Sequence, residues 1–440
     1  MSERRPGVGS KPLPTPVRLA VYVGAGALFV VVLFVRGGPN PAETDAHAVT
    51  LPTTAISHGD LGTAERETLV PNPPGYPLLM APFVSAFGPW IGSPRWCDDK
   101  PVPEILRTFG YAYFLSILGP CTAKHGGDHG KPFPIWYRSQ AVLAIFGWIV
   151  LCAGVVMLLG SSGAGGGVTE VALVVALAVL PASSDAIAQT FHPQDLMSVG
   201  FACAGLSQAL RRRWLWVGVL FGVAFLCKQF ALLPLFAALA AAPGWRSRVR
   251  ILVPMAGVVA LAVVPFYVAA PVDTVRAMTA VYVAGVTLIK TPTVVGVLDI
   301  NEKLKLEIAR DAPLLMAAAL AAWARWRSRS GLLAPVPLVG LALACVATRL
   351  VFEVSLLNYY YLAVAVFLLL LDFTRKRMPV WSVVWIVATR YGLTPLAPHA
   401  PSALTAALFL VAALGPMALG MAQLPVGPRP SALVGDSSFR

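Results

Sequence analysis

Apolar runs of roughly 15 to 22 residues recur along the whole chain, separated by short linkers rich in Lys and Arg. A helix of that length matches the hydrocarbon thickness of a bilayer, and in lipid a helix satisfies every backbone N–H and C=O without water. The chain is therefore read as an all-α polytopic membrane protein, a single domain over residues 1–440 with about twelve transmembrane helices. Nothing between the runs is long enough for a soluble domain of any size. An apolar share of 57% against 12% charged residues excludes an ordinary soluble enzyme.

A net charge of +13 raises nucleic acid as a partner. The cations, however, concentrate in the linkers, at Arg211, Arg212 and Arg213, at Arg246, Arg248 and Arg250, at Arg325, Arg327 and Arg329, and at Arg375, Lys376 and Arg377. That is where the positive-inside rule puts them on the cytoplasmic face, so the charge reports topology, and the expected partner is the lipid bilayer, with no nucleic acid. Arg4, Arg5, Lys11 and Arg18 place the N-terminal tail on the same side. The first span, near residues 18–35, then runs outward, and without a small-residue cleavage site it reads as a retained anchor. Alternation through the remaining runs leaves both termini cytoplasmic in a multi-pass protein of the plasma (inner) membrane. Two long segments fall outside. The first extracytoplasmic loop, 37–135, has surface-lying helices at 76–91 and 105–118; the second covers 270–311.

This topology gathers Asp45, His192, Asp195, Lys228, Arg276, Arg349 and Glu353 on the outer side, although they come from separate parts of the sequence. Ionisable groups at membrane depth are expensive unless they are paired or line water, which makes them functional candidates. Lys228 and Arg349, adjoining apolar runs, carry this reasoning best. The runs flanking Lys228, 215–226 and 230–242, are short, as in a broken helix pair that lines a cavity. Cations that hold a phosphate, beside a carboxylate that takes a proton from an attacking hydroxyl, are what transfer from a lipid phosphate requires. Plainer readings stand beside this one. Arg349 and Glu353, one helical turn apart, can be a local ion pair, and His192 can be a loop histidine.

Other motifs are weaker. HGGDH at 125–129 has metal-ligand residue types in a glycine-rich stretch, and is read as a solvated loop. The glycine-rich turn at 160–167 lacks the Lys and Ser/Thr of a phosphate loop and falls on the inner side, so no nucleotide site is expected. Cys152, Cys203, Cys227 and Cys345 lie within apolar runs, whereas Cys97 and Cys121 share the first outer loop, either as a disulfide or as two thiols.

Several stretches together carry a family likeness. They are NPPGYPLL at Asn72 to Leu79, HPQD at His192 to Asp195, GVLFGVAFLCKQFALLPL at Gly218 to Leu235 and NYYYLAVAVFLLLL at Asn358 to Leu371. Behind a first span and an acidic outer loop with Asp45, they make the chain resemble the polytopic GT-C glycosyltransferases. The likeness covers most of the chain and is greatest to the actinobacterial mannosyl- and arabinosyltransferase-like members that use polyprenyl-phosphate sugars. It implies a GT-C-like bundle and a polyprenyl-phosphate monosaccharide donor, mannose preferred and arabinose possible. The implied acceptor is a cell-envelope glycolipid, polysaccharide or protein on the outer face. It further implies that Asp45 is the catalytic base, with Glu43 as its neighbour and alternative, and that Lys228 lies near the lipid phosphate. His192, Asp195, Arg276, Arg349 and Tyr360 are the expected substrate-binding residues. Displacement is expected to invert the anomeric centre; no cofactor is required, and a weakly bound divalent cation is compatible with the scheme. The alternative class is a transporter or flippase of a lipid-linked sugar. Inverted repeats with matching interrupted helices would mark it, and no convincing internal repeat is found.

Overall fold

The computed structural model describes residues 14–35, 53, 56, 59–62, 74–82, 134–188, 192–279, 293–328, 334–354, 358–394 and 402–425. Among the described residues every regular element is helical. In chain order they are α1 Thr15–Val35, α2 Pro134–Ser161, α3 Gly167–Val179, α4 Pro181–Ala188, α5 Pro193–Leu210, α6 Trp214–Cys227 and α7 Leu232–Ala241. There follow α8 Trp245–Ala269, α9 Pro271–Thr279, α10 Glu302–Arg327, α11 Pro335–Phe352, α12 Tyr361–Thr374, α13 Val380–Val387 and α14 Ser402–Met421. Short 3-10 turns at Gln229–Ala231 and Asn358–Tyr360 precede α7 and α12, and a π-helical stretch, Ala388–Leu393, continues α13.

Among the described residues five segments are long and apolar enough to cross a bilayer unaided: Thr15–Val35, Gly167–Ala188, Trp245–Ala269, Pro335–Phe352 and Ala403–Met421. Shorter apolar helices such as Trp214–Cys227 and Tyr361–Thr374 complete a membrane-embedded helical protein. α12 is buried over its whole length, as a helix apolar all round must be, and forms the middle of the bundle. α8, by contrast, buries only Ile251 and Phe266 and turns the rest of its apolar surface outward, as a lipid-facing helix does.

Small residues set the closest crossings. A Cβ added to Gly154 of α2 would stand 1.8 Å from the Gly200 carbonyl of α5, and one on Gly420 of α14 would stand 2.2 Å from the Gly340 carbonyl of α11. Glycine lets backbones in lipid approach closely enough for van der Waals packing to hold them.

The ends of the helices sort into two sets. Arg18 at the start of α1 pairs with Glu170 at the start of α3, Arg211 after α5 donates to Ser161 at the end of α2, and Arg325 near the end of α10 donates to the Pro243 carbonyl between α7 and α8. Gly218 near the start of α6 packs on Ile251 near the start of α8. The Arg18, Arg211–Arg213, Arg246–Arg250 and Arg325–Arg327 cations therefore share one end of the bundle. Asp372 in the last turn of α12 accepts from Ser382 N and Oγ at 3.2 and 2.6 Å, tying the next linker to the start of α13. The starts of α5, α7 and α12 and the ends of α6 and α11 form the opposite end.

Two of the segments between spans carry helices of their own. Residues 270–311 were expected as loop, yet they include α9 and the first turns of α10, whose N-cap Asn301 accepts from Lys303 N at 2.8 Å. The apolar pattern of α10 begins only after its charged first turns, so hydropathy marks where the helix becomes lipid-like rather than where it starts. Residues 75–82, expected as part of a helix lying on or dipping into the outer surface, are helical, with Tyr76, Met80 and Ala81 buried. Residues 105–118 lie outside the described residues.

Candidate functional site

The end of the bundle away from the basic linkers is built on helix starts that the sequence forces. Pro181, Pro193 and Pro271 each open a helix, because proline lacks an N–H that a first turn would leave unpaired anyway. At Lys228 the backbone becomes extended, with φ −159° and ψ 134°, although its N–H still bonds to Ala224 O at 2.9 Å. Pro234 tolerates only the first turn of a helix, so α7 begins anew at Leu232 and folds back. The break between two short runs read from the sequence is present. Gln229 Nε2 caps it by donating to Met278 O of α9 at 3.0 Å.

Six of the expected residues meet here. Asp195, in the first turn of α5, faces Lys228 across 4.0 Å (Oδ1 to Nζ). Arg349 donates from Nε to Glu353 Oε2 at 3.1 Å, so the local ion pair does form. Its guanidinium also lies over two aromatic rings, 4.1 Å from the Tyr360 ring centre and 5.2 Å from that of Phe230. His192 stacks on Tyr359 at 4.3 Å, and Tyr359 meets Tyr360 edge-on at 4.6 Å. Gln194 Nε2 lies 2.9 Å from His192 Nδ1, and donation there fixes the imidazole. A narrow cavity, water-sized in its accessible core, opens among them, walled by Asp195, Phe230, Leu233, Arg349, Tyr359 and Tyr360. Lys228 is not on its wall and is linked to it through Asp195.

Burial pushes the Glu353 carboxyl above its ordinary pKa, and the Arg349 guanidinium pulls it the other way. The pair thus sets a fixed positive and a titratable negative group beside the cavity, with α11 holding both.

Neither family models nor curated proteins match this chain. The site's chemistry accordingly rests on its own residues.

The remaining expected residues stand differently. Asp45 and Glu43 lie outside the described residues, as do HGGDH at 125–129, Cys97 and Cys121. Arg276 lies on α9, and its side chain is outside the described residues. Among the described residues no group of three or more His, Cys, Asp or Glu is placed to hold a metal ion. The NPPGYPLL stretch, by contrast, reaches the site: a Cβ on Gly75 would stand 2.4 Å from Leu226 Cβ and 2.6 Å from its carbonyl, two residues before Lys228.

Sequence reading missed Tyr359 and Phe230, which stack on His192 and Arg349, and the buried pair Asp185–Arg390, 2.9 Å apart. Phe230 follows Lys228 by two positions and Tyr359 precedes Tyr360, so proximity to a charged candidate was the available signal. Arg390 sits on the π-helical turn, and no sequence pattern marked that turn.

Chemically, the arrangement offers a stacked guanidinium and an ammonium for an anion, a carboxylate for hydroxyl or ammonium donors, and aromatic walls for an apolar or sugar face.

Proposed function

We propose that the protein is a membrane glycosyltransferase of GT-C type that moves a monosaccharide from a polyprenyl-phosphate donor to a cell-envelope glycolipid or polysaccharide. The observation that carries this reading is the convergence of Asp195, Arg349, Tyr359 and Tyr360 on one cavity, with Lys228 4.0 Å behind Asp195, at the end of the bundle opposite the basic linkers. A lipid phosphate needs cations at membrane depth, and its sugar needs hydrogen-bond acceptors and ring faces in the same place. The motif likeness around Lys228 and NPPGYPLL supports the same assignment.

In this reading the chain crosses the plasma membrane about twelve times, its basic end and both termini are cytoplasmic, and the cavity opens outward. Lys228, with Arg276 or Arg349, stabilises the donor phosphate. Asp45 removes the proton from the acceptor hydroxyl as that oxygen attacks the anomeric carbon; the bond from the anomeric carbon to the phosphate oxygen breaks, and polyprenyl phosphate departs. A single displacement of this kind inverts configuration. Mannose is the preferred sugar and arabinose the alternative.

Purified protein given labelled polyprenyl-phosphate mannose and an envelope lipid extract should label a lipid or polysaccharide product. Transfer from a nucleotide sugar with no lipid carrier would overturn the proposal.

A further inference from the structure

Four carboxylates are buried among the described residues, and three of them have close partners. Glu170 accepts from Arg18 and from Tyr22 Oη, Asp372 accepts two bonds from Ser382, and Asp185 meets Arg390 at 2.9 Å. Asp195 differs. It is 1% exposed, neither carboxylate oxygen has a hydrogen-bond partner, and the Lys228 ammonium stands at 4.0 Å. A buried carboxylate without hydrogen bonds is costly, and a cation beyond hydrogen-bond range compensates it only in part. The first turn of α5 nonetheless holds it at the wall of the cavity. Next to it the amide oxygen of Gln194 is also without a partner, while its Nε2 bonds to His192.

The cavity therefore presents an acceptor-only group facing an aromatic wall. Ionised carboxylates accept and cannot donate, so the complementary ligand brings O–H donors. Tyr359 and Tyr360 line the same cavity, with His192 stacked on one and Arg349 on the other, so they bound the space beside Asp195. Arg349, on the same wall, sets where an attached phosphate goes.

We infer that Asp195 is the specificity-determining residue for the transferred sugar, accepting hydrogen bonds from ring hydroxyls near the anomeric carbon at the cavity wall it shares with Tyr359 and Tyr360. This rests on the lipid-phosphate reading above and adds to it which group distinguishes a glycosylated carrier from a bare one. It assigns no proton transfer to Asp195.

Equilibrium binding of two radiolabelled lipids, polyprenyl-phosphate mannose and bare polyprenyl phosphate, to the purified full-length protein in nanodiscs tests this. Asp195→Asn should weaken the mannose-bearing lipid by about 10- to 100-fold, the range for hydrogen bonds to a charged group, and leave the bare lipid within about twofold. Tyr359→Leu keeps both charges in place and should give the same selective loss, which covers the case in which Asp195→Asn does not fold. Equal losses on both lipids would place the effect on the phosphate through Lys228 and overturn the inference. So would unchanged binding of both lipids, including the case where turnover alone falls and the pH–rate profile loses a limb, since Asp195 would then be a proton acceptor. Wild-type protein that binds neither lipid would overturn the lipid-phosphate reading itself.

Discussion

The Arg349 guanidinium lies 4.1 Å from the centre of the Tyr360 ring while its Nε holds Glu353 at 3.1 Å. One side chain thus serves a stacking partner and an ionic partner together, which a point charge cannot do. Arg349→Ala should leave the half-buried Glu353 without its cation and cost about 1–3 kcal/mol of stability. Arg349→Ala with Glu353→Ala should recover much of that loss, because no charge is then stranded. Unfolding in detergent measures both; additive losses would show that the two residues are not coupled. Arg349→Lys should preserve the ion pair better than the stack.

Backbone contact makes two glycines intolerant of any side chain. Gly75→Ala should press on Leu226 and displace the Lys228 break, lowering transfer activity more than it lowers stability. Gly200→Ala, whose Cβ would stand 2.4 Å from the Val150 carbonyl, should force α5 and α2 apart and cost about 1–3 kcal/mol or more. Gly257→Ala is the control, with nothing within 4 Å of the added carbon, and should be neutral or slightly stabilising. Expression level and thermal unfolding of the three variants order them.

Sidedness can be read with single cysteines in a background where Cys97 and Cys121 are serine; the other four cysteines are buried. A membrane-impermeant maleimide should label Lys303→Cys on intact cells, and Arg246→Cys only after permeabilisation. Reversed labelling would put the cavity on the cytoplasmic side and remove the basis for a lipid-linked donor.

Proton removal and phosphate binding should separate in the kinetics. Asp45→Asn should retain fold and donor binding yet lower turnover by roughly 100-fold or more, as loss of a positioned general base does. Lys228→Ala should instead weaken both donor binding and rate, since its charge acts on the phosphate before and during bond breaking. Single-turnover assays with labelled donor distinguish the two patterns. Wild-type turnover in well-folded Asp45→Asn would move the base to Glu43 or Asp195.

The sequence by itself determined that this is a helical membrane protein and which linkers share an end, because helix length and Lys/Arg placement are properties of local segments. It also marked the interruption at Lys228, since two short apolar runs around a charged residue and Pro234 leave little room for a continuous helix. Tertiary structure alone decided what surrounds each charge. That Arg349 stacks on Tyr360, that Tyr359 covers His192 and that Gly75 touches Leu226 depend on helices distant in sequence crossing at particular depths, and apolar periodicity is nearly blind to depth. The state of Asp195 was illegible for the same reason. A carboxylate in HPQD reads alike whether it meets water, a hydrogen-bond donor or a cation at 4.0 Å, and only the packing of α5 against the Lys228 turn chooses among them.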